Sequence, residues 1–370
     1  MGASSDGTPG PIMATLDDAD VVRSAREAAT LRRAPLLVLD ALETWLDERE
    51  IGSGPILATM LDGGHSNLTF RIQRDGADVV LRRPPRPPLP PGAHDIVREA
   101  RLVSALLRTD VPVPRVLAIC DSDVVIGAPF AVTEFVEGIV LGRTAPPLLH
   151  PRDERRNAGE SFVDALTAVH AVDVRAAGLE WLGRPGGYLE RQLRRFSGSW
   201  EINRTRQLRA IGELERRLRA RLPRSHETTL VHGDARVGNA IFAPDPPAHV
   251  AALVDWEMAT LGDPLADLGY LNAAWTDPGQ VDPPMFHIST VTSAEGFPTR
   301  TELISRYEQR SGRRVTDLNW YTAFARWKSA IFMEGNYRRA LAGSSGDAFA
   351  LGFRSGVEEL AELGLAELRK

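Results

Sequence analysis

Lysine is almost missing from this 370-residue chain: Lys328 and Lys370 are the only two, so arginine carries nearly all the positive charge. A GC-rich genome that favours arginine codons accounts for such a bias without any functional cause. It still excludes a phosphate-binding lysine anywhere before position 328. Cysteine is rarer, since Cys120 stands alone; an intrachain disulfide and a thiolate metal centre are both excluded. No G-K-[ST] triplet occurs, which removes the Walker-type phosphate loop. No apolar run reaches the roughly 18 residues of a membrane span. The N-terminus lacks a basic-then-apolar leader, so the expected location is cytoplasmic, with no membrane partner. A net charge of −5 gives no reason to expect nucleic acid. What is present is ordinary for a globular protein, 43% hydrophobic and 25% charged residues. The length suffices for two units with cores of their own.

The most informative stretch runs from Leu230 to Gly269. Two apolar runs, Ala240–Phe242 and Val250–Val254, flank the turn Pro244–Pro247 and predict a β-hairpin. His232-Gly233-Asp234 precedes the first strand, Asn239 lies five residues beyond that aspartate, and the second strand ends on Asp255. A hairpin brings Asp234, Asn239 and Asp255 to one end of a small sheet. Two carboxylates and an amide there suit a hard divalent cation, Mg²⁺, which prefers oxygen ligands and keeps sites open for phosphate.

Asp234-x-x-x-x-Asn239 followed by Asp255-Trp-Glu matches the order in which protein kinases place a base, a metal-binding Asn and a metal-binding Asp. With Gly262-Asp-Pro-Leu-Ala-Asp267-Leu-Gly after it, the wording resembles the aminoglycoside phosphotransferase/choline kinase family more closely, over about Leu57 to Tyr270. That resemblance implies an α+β, two-lobed protein-kinase-like fold, with a small antiparallel-sheet N-lobe and a mainly helical C-lobe. Residues 35–136 form the expected nucleotide-binding lobe and 137–370 the catalytic and acceptor-binding lobe; 1–34 is a partly disordered tail, since Met1 to about Asp20 is rich in Gly, Ser, Pro and Asp without periodicity. The resemblance implies ATP and Mg²⁺ as cofactors, Asp234 as catalytic base, and Asn239 and Asp255 as metal ligands. Asp267 would brace the backbone around His232, and Asp263 would cap a helix beginning at Pro264.

In the first lobe, an amphipathic helix is predicted after Pro35 from Leu36, Leu37, Leu39, Leu42, Trp45 and Leu46. Strands over Ile56–Leu61 and Leu68–Ile72 enclose Gly63-Gly-His-Ser-Asn67, either a plain hairpin turn or a loop over phosphates. The family pattern turns Ser66 and Asn67 toward the phosphates. The next strand, Asp78–Arg82, stands where kinases carry a lysine paired to a helical Glu. Arg82 or its neighbour Arg83 must substitute, with Glu99 the candidate partner, or these arginines are simply solvated. Six prolines between Pro84 and Pro91 read as a stiff connection or a polyproline ligand. A helix from His94-Asp95 and strands over Arg115–Cys120 and Pro129–Glu134 complete the lobe. In the family, backbone groups between Glu134 and Val136 hold the adenine edge.

The second lobe carries a helical stripe of Phe162, Ala165, Leu166 and Val169, with His170 beside it as a packing residue. Between Arg191 and Arg224, eleven arginines face three glutamates. They form either a solvated helical pair laced by i,i+4 contacts or a surface for an anionic acceptor. Trp275, Trp320, Tyr321, Trp327 and Tyr337 build core and one pocket wall, or an aromatic cage for a cation. The phrases GGHSNLTF, VVLRRPP, REARLVSAL and LVDWEMATLGDPLADLGYL resemble the branch whose relatives are fused to acyl-CoA dehydrogenase domains. The acceptor implied is a small molecule, a hydroxyacyl compound in one reading and an aminoglycoside in another. A nucleotide-binding pseudokinase scaffold is the alternative from a different class.

Overall fold

The computed structural model describes residues 20–61, 67–87, 89, 94–142, 144–225, 227–280, 290–342 and 351–370. The chain divides into one unit of Met1–Leu107 with Pro114–Val136, and a second of Arg108–Val113 with Glu137–Lys370. The segment 108–113 thus groups with the later residues, where the Pro112 carbonyl accepts the Leu253 N–H at 2.8 Å. Among the described residues no helix is long and apolar enough to cross a membrane.

The first unit comprises β1 (Val21–Val22), α1 (Ala25–Ala28), β2 (Leu37–Val38), α2 (Leu39–Asp47), β3 (Ser53–Leu61), β4 (Leu68–Asp75), β5 (Ala77–Arg83), α3 (Ile96–Leu106), β6 (Val116–Cys120) and β7 (Phe130–Glu134). Strands β3 to β7 form one antiparallel sheet in the order β3-β4-β5-β7-β6. Period-two alternation decides what each side of β5 does. Val79, Leu81 and Arg83 are buried, while Val80 and Arg82 take the opposite side. Phe70, Ile72, Leu81, Phe130 and Val132 pack with Leu42, Trp45 and Leu46 of α2 into the main core. On the other side Ile96 and Ala100 of α3 meet Ala131. Asp95 caps α3 by accepting from the Arg98 N–H at 3.0 Å, so the helix begins where the sequence predicts.

One expectation changes here. Leu36 and Leu37 do not lie on a helix: Leu37–Val38 pairs in parallel with Val21–Val22, and α2 begins only at Leu39. Residues 1–19 of the expected tail lie outside the described residues; the rest of it, 20–34, packs onto the unit. Asp20 is the anchor there, with ion pairs to Arg33 at 3.0 Å and Arg86 at 2.6 Å.

The second unit comprises β8 (Ile139–Val140), α4 (Arg152–Ala171), α5 (Tyr188–Asn203), α6 (Arg209–Ala220), β9 (Thr229–Val231), β10 (Ala240–Phe242), β11 (Val250–Leu253), β12 (Thr260–Gly262), α7 (Leu265–Ala274), α8 (Arg300–Ser311), α9 (Leu318–Leu341) and α10 (Phe353–Glu367). The predicted hairpin is present: Ala240 faces Leu253 and Ile241 faces Ala252 in β10 and β11, with β8 on the far edge. Strands β9 and β12 form a separate antiparallel pair. Helix α9 is buried nearly all round from Trp320 to Ile331, and a helix apolar on every side belongs inside a core. Side chains of α5, α6 and α10 surround it. It lies close to α7 because Gly269 has no side chain; a Cβ there would sit 2.4 Å from the Tyr321 carbonyl carbon.

Candidate active site

Strand β9 runs straight into His232-Gly233-Asp234. The turn needs glycine at its centre, where φ is +85° and an added Cβ would fall 2.5 Å from the Met258 carbonyl oxygen. A single 3₁₀ turn over Val237–Asn239 then brings Asn239 back onto Asp234. The Asn239 amide nitrogen donates to Asp234 Oδ2 at 2.7 Å and to the Asp234 carbonyl at 2.9 Å. Both bonds use the nitrogen, which leaves the amide oxygen as an acceptor. The Asn239 carbonyl takes the Val254 N–H at 2.9 Å, and Asp255 follows at once. Asp255 adopts left-handed backbone, φ +67°, uncommon for any residue but glycine. Strain of that kind gathers at functional sites.

Charge around Asp234 is arranged to keep it anionic. Burial works against ionisation. It is outweighed by the Arg236 guanidinium, then the Tyr270 hydroxyl, His232 and the Asn239 amide, and the carboxyl lies below the ordinary aspartate range. Arg236 Nε is 3.5 Å from Asp234 Oδ2 and also feels Asp255. Asp234 Oδ1 is buried with no hydrogen-bond partner among the described residues. A buried acceptor without a donor is costly, so this oxygen is suited to an incoming hydroxyl.

Beneath the turn, Asp267 of α7 accepts the His232 N–H at 2.6 Å on Oδ2 and the Gly233 N–H at 2.8 Å on Oδ1. The predicted brace therefore exists. His170, read from sequence as packing, completes it. Its Nε2 lies 3.1 Å from Asp267 Oδ2, its Nδ1 is 2.8 Å from the Tyr307 hydroxyl, and the ring is fully buried. Burial alone would raise the Asp267 carboxyl; the bond to His170, the charges of His170 and His232 and the Gly233 N–H reverse the sign and lower it. Nothing near His170 in the chain signals this link, because Asp267 and Tyr307 lie 97 and 137 residues away. Helix α7 begins at Leu265, one residue later than predicted, with Pro264 in the cap position; Asp263, just before it, accepts the Leu265 N–H at 2.9 Å.

In the first unit Arg82 and Glu99 meet, with Nη2 to Oε1 at 3.2 Å and the carboxylate buried. Arg83 takes the other side of the strand. It points into the core, donating to the carbonyls of Pro84, Leu36 and Ile126, and burial followed by the neighbouring Arg86 charge lowers its pKa to about 10. Asn67 packs beside the same glutamate. It is buried, with its amide nitrogen 3.5 Å from Glu99 and its oxygen 3.1 Å from His94 Nδ1. Ser66 lies outside the described residues. The Glu134 side chain accepts the Arg115 N–H at 2.9 Å, and its own N–H donates to the Arg115 carbonyl. The unit ends at Val136.

The arginine-rich stretch forms α5 and α6, and glutamates answer much of its charge. Arg204 meets Glu201, Arg216 and Arg217 meet Glu213, Arg219 meets Glu215, and Arg206 reaches buried Glu334. Trp320, Tyr321 and Trp327 are core residues, with Trp320 stacked on Phe324 and the Tyr321 hydroxyl bonded to Asp263. They form no cage.

A five-stranded antiparallel sheet with a helix on each side, and a helical unit carrying an Asp–Asn–Asp hairpin, define a kinase-like phosphotransferase. Residues 58–295 match the profile of the phosphotransferase enzyme family, APH. The chain belongs to that family and is a small-molecule kinase. Acyl-CoA dehydrogenase family member 10 of Mus musculus is 36% identical over 341 residues, 90% of this chain but 31% of that protein. The chain thus spans about a third of that relative's length. A crystal structure from Ralstonia eutropha, assigned as an aminoglycoside phosphotransferase, superposes with a TM-score of 0.76 at 33% identity, covering 89% of this chain and 98% of that one. A thermostable mutant of the aminoglycoside phosphotransferase APH(4)-Ia, in ternary complex with AMP-PNP and hygromycin B, shares the fold at a TM-score of 0.56 and 14% identity, covering 88% and 98%.

Proposed function

We propose that this chain transfers the γ-phosphoryl group of ATP to an alcohol on a hydroxyacyl small molecule. One observation carries the reading: Asp234 is held as an anion with one oxygen tied to Asn239 and the other buried and unanswered. In the reaction the acceptor hydroxyl donates to Asp234 Oδ1. As its oxygen bonds to the γ-phosphorus, the proton passes to the carboxylate, the bond to the β-phosphate oxygen breaks, and ADP leaves. Positioning and electrostatics provide most of the rate, because phosphoryl transfer needs little covalent help.

The donor set fits Mg²⁺. The amide oxygen of Asn239 and the carboxylate of Asp255 would hold it, and the cation would neutralise charge on the phosphates. Arg82, fixed by Glu99, is the first unit's cation for the inner phosphates, and main-chain groups up to Val136 would receive the base. ATP is favoured as donor because the APH(4)-Ia structure holds AMP-PNP. A hydroxyacyl acceptor is favoured over an aminoglycoside by the 36% identity to an acyl-CoA dehydrogenase family member.

Incubation with Mg²⁺-ATP and a panel of hydroxy acids, their coenzyme A thioesters and aminoglycosides, read by product mass, tests this. A phosphorylated hydroxyacyl product is expected. Phosphorylation of aminoglycosides alone would overturn the acceptor class. Nucleotide binding without transfer to any acceptor would favour a scaffold.

A further inference from the structure

Arg236 lies two residues past Asp234 and is the only arginine or lysine between Arg224 and Arg300. Its main chain is fixed on both sides within the catalytic turn. The Arg236 N–H donates to the Asp234 carbonyl at 3.0 Å, and the Arg236 carbonyl accepts the Asn239 N–H at 2.9 Å. The side chain folds back over Gly238, where an added Cβ would collide with Arg236 Nη1. Glycine at 238 thus leaves open the space that the guanidinium occupies.

The protein leaves most donors of that guanidinium unused. Its nearest approach to Asp234 is one contact, Nε to Oδ2 at 3.5 Å, too long for a good hydrogen bond. Elsewhere this chain grips an aspartate with a closed fork: Arg306 donates to both oxygens of Asp164, at 2.7 and 2.8 Å. Among the described residues no group accepts a hydrogen bond from the terminal nitrogens of Arg236, and with 20% of the side chain exposed they are open to a ligand.

The flank on which it lies decides what it can meet. Oδ2 of Asp234 is the oxygen that Asn239 also holds, whereas Oδ1 is the one left for the acceptor hydroxyl. Asn239 in turn bonds Val254, the neighbour of Asp255. The guanidinium therefore stands on the side of the base shared with the two candidate metal ligands, where the γ-phosphoryl group belongs, and away from the acceptor side. A planar fork of donors that keeps its charge at any working pH matches phosphate oxygens.

We infer that Arg236 is a catalytic residue that holds the oxygens of the phosphoryl group in transit. This deepens the phosphotransfer reading above and rests on it. No proton moves at Arg236. The acceptor's proton still passes to Asp234, the new O–P bond forms as the bond to the ADP oxygen breaks, and the guanidinium offsets the charge on the oxygens between them.

Calorimetric titration of the full chain with Mg²⁺-ADP and with Mg²⁺-AMP-PNP tests the assignment in wild type, R236M and R236K, beside product formation from Mg²⁺-ATP and the hydroxy-acid panel. R236M should bind Mg²⁺-AMP-PNP about tenfold more weakly and Mg²⁺-ADP within about twofold of wild type, and kcat should fall about 10² to 10³-fold with the acceptor KM little changed. R236K, which keeps the charge but loses the fork, should recover part of both losses. Equal weakening of the two nucleotides overturns the assignment, because the arginine then serves the inner phosphates or the fold. A raised acceptor KM with the preference for AMP-PNP over ADP intact overturns it too and makes Arg236 an acceptor contact. Unchanged binding and kcat leave phosphotransfer standing without Arg236. If neither variant folds, the arginine belongs to the structure and the assignment falls. Wild type that binds neither nucleotide overturns both readings.

Discussion

Single side chains carry the sharpest consequences. Asp234→Asn keeps the shape of the turn but loses the proton acceptor. Transfer should fall by about 10² to 10⁴-fold while Mg²⁺-ATP binding survives, a contrast read by product formation beside nucleotide titration. His170 is predicted to act through Asp267. His170→Ala leaves Asp267 Oδ2 with fewer donors in a buried position and should cost about 1–3 kcal/mol in urea denaturation, with kcat reduced and both KM values little changed. Lys328 gives a pH signature. Its pKa falls from 10.5 unfolded to about 8 folded, so the unfolded chain holds the proton more tightly. Stability should therefore rise by up to about 3 kcal/mol as pH climbs from about 8 to about 10.5, and K328M should abolish that rise. The lowered Asp267 carboxyl has the same sign in the acid range: its contribution is present above the ordinary aspartate range and is lost as pH falls through its folded pKa.

Elements explain what could and could not be read from the chain. The Asp234–Asn239 pair was legible because both residues lie within one short turn, so spacing alone places them together. The Arg82–Glu99 pair needed the family pattern to suggest it, and strand alternation to choose Arg82 over Arg83. Leu36 and Leu37 misled because a short buried bridge and the first turn of an amphipathic helix share the same apolar pattern. His170 was missed because its partners are distant in sequence and a buried imidazole on a helix face looks like any other core residue. The tryptophans of α9 were ambiguous because spacing cannot separate a cage from a core. Close packing of α7 on α9 makes a separate prediction. Gly269→Ala places a methyl against the Tyr321 backbone, which cannot rotate aside, and should cost about 1–3 kcal/mol of stability in chemical denaturation.

The whole molecule should respond to its cosubstrate as a native-state ligand. At about 100 times Kd, Mg²⁺-ATP should add about 2.7 kcal/mol to unfolding stability, and chelation of the metal should remove most of that gain. Arg82→Met should shrink the same gain without touching Asp234. The first unit holds a five-stranded sheet with the Arg82–Glu99 pair; the second holds Asp234, Asn239 and Asp255.

Arginine at position 82 also decides which reagents can find this enzyme. Acyl-phosphate nucleotide probes report kinases by acylating a primary amine beside the bound triphosphate, and a guanidinium does not react in that way. With Lys328 and Lys370 as the only amine side chains, this chain has none on the strand where such probes look. A survey built on that chemistry would find no amine on this strand to acylate.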